Sequence, residues 1–123
     1  MEYESTRPIY LQIIEKVKRK IIVGEIRPDD KLLSLKDMAL EMGVNPNTVY
    51  RVYRELEAEG IVETRRGFGT FVVADDGLIE KLQDEIIDET IFQPIKTLVD
   101  LGFSGKKISQ YVDIALNKLR SKE

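Results

Sequence analysis

Between Asn45 and Glu59 the chain spaces an amide and two guanidiniums so that they can act together. On a helical wheel of ~100° per residue, with Asn47 at zero, Arg51 falls near ~40° and Arg54 near ~340°. Val49, Val52, Tyr53 and Leu56 gather on the opposite side, and Tyr50 lies at the flank. One face is thus apolar, and the other carries groups that make paired hydrogen bonds. Arginine pairs bidentately with guanine or clamps phosphate, and asparagine can read adenine. Glu55, Glu57 and Glu59 fall to the sides or toward the C-terminal end. An ordinary solvent-facing helix would account for Arg54 alone, but not for this sorting together with the elements around it.

A second group follows directly. Arg65-Arg66-Gly67-Phe68-Gly69 stands between the β-branched and aromatic runs Ile61–Thr64 and Thr70–Val73, which reads as a hairpin with a basic, glycine-rich turn. Two arginines bring positive charge to the turn, and Gly67 and Gly69 let the backbone approach a sugar–phosphate wall or a minor groove. Phe68 reads either as a wedge for such a groove or as a side chain packed on its own hairpin.

These groups need elements to hold them. A first helix is expected from about Pro8 to Val23, with Ile9, Ile13, Val17 and Ile21 recurring every four residues. Its basic cluster, Lys16, Lys18, Arg19 and Lys20, reads as a solvated face. Ser34 is a good N-cap for a short second helix carrying Met38, Ala39 and Met42 and closed by Gly43. Asn45 caps the third helix, and Pro46 sits at its first position. Two helices joined by a glycine-containing turn, then a hairpin, make a winged helix-turn-helix. Ser34 at a helix start can also expose backbone N–H groups to phosphate.

Beyond Val73, Ala74-Asp75-Asp76-Gly77 reads as a linker, and the remainder as helical. Leu78, Leu82, Ile86, Ile91, Ile95 and Leu98 form an apolar stripe, which Pro94 should kink or split. Ser104 can cap a last helix over 105–120, where Ile108, Tyr111, Val112, Ala115, Leu116 and Leu119 are apolar. Two helices of this length struggle to bury both stripes alone, so pairing with a second copy is expected. The expected architecture is mostly α (α+β): a winged helix-turn-helix over 1–73, a linker over 74–77 and a small all-helical dimerisation region over 78–123.

Composition sets limits on the chemistry. The 123 residues contain no cysteine and no histidine, so thiol chemistry, imidazole catalysis and the commonest transition-metal ligand are absent. No nucleophile–base pair, phosphate loop or metal cluster can be read, which argues against an enzyme and gives no cofactor or metal. Asp75-Asp76 is best read as linker. No run suits a membrane span and the start lacks a signal peptide's pattern, so the expected location is the cytoplasm. The net charge of −3 is uneven: residues 1–73 hold 12 basic and 12 acidic side chains, and residues 74–123 hold 7 and 10. A neutral N-terminal part can still bind nucleic acid if its charges are sorted by face.

The motifs Gly24-Glu25-Ile26-Arg27-Pro28, Leu32-Leu33-Ser34, Val44-Asn45-Pro46-Asn47-Thr48-Val49, Tyr53-Arg54-Glu55-Leu56-Glu57-Ala58-Glu59-Gly60 and Gly67-Phe68-Gly69-Thr70-Phe71-Val72 occur in this order. Over residues 8–73 they resemble the DNA-binding domain of the GntR family, and the short helical tail resembles its YtrA-type branch. The resemblance implies a homodimeric repressor on a palindromic double-stranded DNA operator, often governing its own operon and transporter genes of ABC type. With it, the DNA-facing set becomes Ser34, Lys36, Asn45, Asn47, Thr48, Tyr50, Arg51, Arg54, Arg65, Arg66, Gly67, Gly69 and Thr70. The chain departs from the family where Leu33-Ser34-Leu35-Lys36 replaces Pro-Ser-x-Arg. Lys36 keeps charge but loses bidentate geometry, which suits a phosphate contact. Pro46 and Phe68 also depart, so base preference should differ. A small-molecule effector has no pocket legible in the sequence. The rival reading is a winged helix that docks proteins and has no specific DNA target.

Overall fold

The computed structural model describes residues 2–121. They form helices α1 (Ile9–Ile22), α2 (Leu35–Met42) and α3 (Pro46–Ala58), strands β1 (Val62–Arg65) and β2 (Gly69–Val72), then helices α4 (Leu78–Ile87), α5 (Gln93–Asp100) and α6 (Gly105–Arg120). A π-helical turn, Asp88–Phe92, joins α4 to α5. The chain divides into two compact units between Leu82 and Gln83. Among the described residues no helix is long and apolar enough to cross a membrane.

The first unit is built around one dry core. Ile13, Ile14, Val17 and Ile21 of α1 meet Met38, Ala39 and Met42 of α2 and Val49, Val52, Tyr53 and Leu56 of α3 in a single buried cluster. These are the positions that a 3.6-residue period places on one face of each helix. Ser34 Oγ accepts from Asp37 N–H at 3.1 Å and starts α2. Asn45 Oδ1 accepts from Asn47 N–H at 2.8 Å and starts α3. Between them Gly43, at φ 69°, ends α2 in the left-handed conformation that a side chain would strain.

The hairpin pairs Val62 with Val72 and Arg65 with Gly69 in antiparallel register. Both strands lie one residue nearer the turn than the apolar runs suggest, because Ile61 N–H is taken by the Leu56 carbonyl at the end of α3. The other edge of β2 is covered as well. Asp29 N–H donates to Val72 O at 2.9 Å, Val72 N–H to Asp30 O at 2.8 Å, and Leu32 N–H to Thr70 O at 2.8 Å. A bridge at Lys31–Phe71 completes this third, very short partner, which leaves β2 no open edge along that stretch.

Two expectations change here. Leu78 and Leu82, read as the start of a dimerisation stripe, are 2% and 1% exposed and belong to the first unit's core. The first turns of α4 are therefore part of the winged domain, and the boundary falls after Leu82 rather than in the 74–77 linker. Pro94, in the first turn of α5, does interrupt the α-helix, through a widened turn rather than a loss of helical structure. It has no N–H to return to a preceding carbonyl, and the chain adapts by widening one turn, with Gln93 N–H reaching back to Asp88 O.

The second unit is of another kind. α5 and α6 pack on each other, and Ser104 Oγ caps α6 by accepting from Lys107 N–H at 3.1 Å. Ile108 is buried, while Ile86, Ile95 and Leu98 are half-buried. Ile91, Tyr111, Val112, Ala115 and Leu119 lie exposed, and Phe92, Val99, Ile114 and Leu116 join them.

Candidate nucleic-acid interface

Helix α3 is anchored from behind. The Tyr53 hydroxyl donates to the Leu33 carbonyl at 2.7 Å, tying the middle of α3 to the segment that leads into α2. Burial, with a smaller contribution from Glu41, raises this phenol well above its ordinary range, so it stays a donor at any physiological pH. At the C-terminal end Glu57 Oε2 accepts from Thr64 N–H at 3.0 Å, which fixes the wing to the helix. Sequence reasoning had placed Glu57 only at the side of the helix.

With its apolar face held, α3 presents Asn47, Tyr50, Arg51 and Arg54 to solvent. Arg54 donates to the Tyr50 hydroxyl at 3.2 Å, and this bond moves the guanidinium further above its ordinary range. Arg51 lies on the face of the Tyr10 ring, 3.6 Å from its centroid. Beside this pair an open concavity of about 330 Å³ is lined by Ile9, Tyr10, Asn47, Thr48 and Arg51. Tyr10 is not singled out by the sequence, and Ile9, read there as part of the apolar stripe of α1, is exposed at the concavity instead of joining the core. Tyr10 is 41 residues from Arg51, so no local spacing could have paired them.

The wing separates its two arginines. Arg65 donates to Asp29 Oδ1 at 2.5 Å and to Glu63 Oε1 at 3.0 Å, and lies 4.1 Å from the Phe71 ring centroid. Those two carboxylates raise its pKa in turn. Arg65 thus braces the hairpin against the 29–32 segment, while Arg66 and Gly67 stand exposed at the turn. Phe68 is 71% exposed, so it does not pack on the hairpin. At Gly69, φ is 118° and an added Cβ would meet the Lys31 side chain at 2.9 Å. Glycine is required there by the backbone first and by the lysine second.

The remaining expected residues are placed as follows. Ser34 and Asn45 spend their side-chain oxygens on caps, Lys36 is exposed on α2, and Thr48 and Thr70 are half-buried. The basic cluster of α1 is taken up largely inside the unit: Lys18 pairs with Glu59 at 3.1 Å and Lys20 with Glu41 at 3.9 Å, while Lys16 lies 6.0 Å from the Tyr3 ring centroid. Only Arg19 of the four is exposed and the three lysines are half-buried, so this face is less solvated than its sequence suggests.

Residues 9–72 match the gntR family of bacterial regulatory proteins. An uncharacterised HTH-type regulator of Bacillus subtilis, YhcF, is 38% identical over 87% of this chain and 88% of its own length. The repressor YtrA of the same organism is 48% identical over 55% of this chain, a match that spans 52% of YtrA. Among solved structures, a GntR family transcriptional regulator from Listeria monocytogenes superposes with a TM-score of 0.84 at 34% identity, covering 90% of this chain and 97% of that one. The DNA-binding domain of AraR, solved in complex with operator ORX1, superposes with a TM-score of 0.53 at 28% identity over 59% of this chain and 90% of that one. The buried faces, the capped helix-turn-helix, the braced wing and these likenesses agree: the chain belongs to the gntR family and is a DNA-binding transcriptional regulator with a YtrA-like winged helix-turn-helix.

Proposed function

We propose that the chain is a dimeric repressor of a palindromic operator, acting in the cytoplasm, with α3 in the major groove and the wing turn against the neighbouring minor groove. The observation that carries the reading is the outward face of α3, where Asn47, Tyr50, Arg51 and Arg54 stand clear of a fully packed opposite face. Arg51 and Asn47 are the base readers in this account. Arg54, Lys36 and Arg66 hold phosphate, and Arg65 shapes the wing rather than touching DNA. The AraR complex supports placing the winged domain on duplex DNA.

Pairing through residues 83–121 is supported by the apolar side chains left exposed there, among them Phe92, Tyr111, Leu116 and Leu119. Two copies would set their α3 helices about one helical turn of DNA apart, ~34 Å. In this proposal, as the sequence resemblance to the YtrA-type branch implies, the regulated genes include the chain's own operon and transporter genes of ABC type.

Selection from a randomised duplex library tests this. The reading expects one enriched inverted repeat, and light scattering should give a dimer at micromolar concentration. No enrichment, with only a steep and sequence-blind salt response, would instead favour a protein-docking winged helix. A monomer would remove the palindrome.

A further inference from the structure

The Arg51 guanidinium does not wave free. It lies 3.6 Å from the centroid of the Tyr10 ring, which belongs to the first turn of another helix and is itself packed against the core. A planar guanidinium stacked on an aromatic face is attracted by the ring and keeps its edge N–H groups outward. Arg54 makes a useful contrast: its ring partner, Tyr50, is on the same helix, exposed, and 5.7 Å away. One arginine lies on a ring packed against the core, whereas the other lies farther from an exposed one. The concavity lined by Ile9, Tyr10, Asn47, Thr48 and Arg51 opens beside the stacked pair, with room for a base edge.

We infer that Tyr10 is a positioning residue for base recognition: it holds Arg51 in one plane so that its two edge donors meet a guanine, and thereby sets the base preference at one position of the operator. The inference rests on the reading that α3 enters the major groove. Tyr10 contributes through its ring face and not through its hydroxyl. An arginine free to rotate would serve phosphate as well as base, since charge alone suffices for phosphate. A stacked one is already committed to a plane, and paired recognition of guanine O6 and N7 needs that plane. Tyr10 therefore acts on selectivity and leaves the general attraction to DNA untouched.

The test uses the full chain, the best duplex from a randomised library, an unrelated duplex, and single-base variants of the best one. Tyr10→Leu should weaken binding to the best duplex about three- to fivefold, the strength of an exposed stacked cation. It should flatten preference at the single position that Arg51→Ala also flattens, and leave the unrelated duplex and the salt slope unchanged. In the Arg51→Ala background it should have no further effect. Tyr10→Phe keeps the face and should retain the preference. Tyr10→Met keeps apolar volume and replaces the leucine variant if thermal unfolding shows that one misfolded. The inference is overturned if the ring-less variants bind as wild type, weaken both duplexes equally, or add independently to Arg51→Ala. If Arg51→Ala alone leaves base preference intact, the placement of α3 fails first and the role of Tyr10 falls with it.

Discussion

The two units treat their apolar residues in opposite ways. In the first, stripes from α1, α2, α3 and the opening of α4 close on one another, and Ile13, Val17, Leu56, Ile61 and Leu82 lose essentially all contact with water. In the second, helices of similar amphipathic character leave Phe92, Tyr111, Leu116 and Leu119 in solvent. A helix pattern is thus only half a statement. It names the face to be covered, and the neighbouring chain decides whether the cover is internal. The winged unit is complete in itself, which frees the outward side of α3 for a ligand, while the helical unit is what a second copy would complete.

The sharpest way to break the contrast is to truncate one side chain in each unit. Leu56→Ala empties the middle of a dry core and should cost about 2–5 kcal/mol in urea unfolding. Leu119→Ala, on a solvent-facing position, should cost a monomer less than about 0.5 kcal/mol. A larger loss that grows with protein concentration would show that the exposed stripe is covered by a partner.

Next in size is recognition. Arg51→Ala should lose about 1–3 kcal/mol of binding to the selected duplex and relax one base position. Tyr53→Phe removes the bond to the Leu33 carbonyl and should lower stability by about 1 kcal/mol. It should also change the alkaline behaviour. The folded phenol titrates above its ordinary 10.0, so above about pH 10 the unfolded chain holds fewer protons and wild-type stability falls as pH rises. Denaturant midpoints between pH 9 and 11 should show that fall reduced in the phenylalanine variant. The smallest effect separates the wing arginines: Arg66→Ala should reduce the logarithmic salt slope of DNA binding by about 0.9, as one lost phosphate contact would. Arg65→Ala should instead loosen the hairpin from the 29–32 segment, seen as faster amide exchange at Leu32 and Val72.

What was legible in the sequence was what local chemistry decides. Ser34, Gly43, Asn45 and Pro46 announce the helix-turn-helix because caps and left-handed residues act within a few positions of themselves. The periodicity of α3 placed Asn47, Arg51 and Arg54 opposite Val52 and Leu56 without any tertiary information. The partners of those residues were not legible, since each comes from far along the chain. Asp29 meets Arg65 across 36 residues. The 29–32 segment looks like a plain loop because its strand partner lies beyond two helices. Leu78 and Leu82 share one stripe with Ile86, and nothing in a four-residue repeat says that the first two turn inward to the winged unit. Pro94 marked where the helix would be disturbed; the widened turn that absorbs the disturbance depends on backbone geometry, not on residue type.

The central claim is that α3 reads sequence through Arg51. It is tested most directly by titrating wild type and Arg51→Ala against the selected duplex and a scrambled one, over a range of salt concentrations. The account predicts a wild-type preference on the order of a thousandfold or more, with the variant losing most of its affinity on the selected duplex and little on the scrambled one. Parallel losses on both duplexes, or no wild-type preference at all, would contradict it.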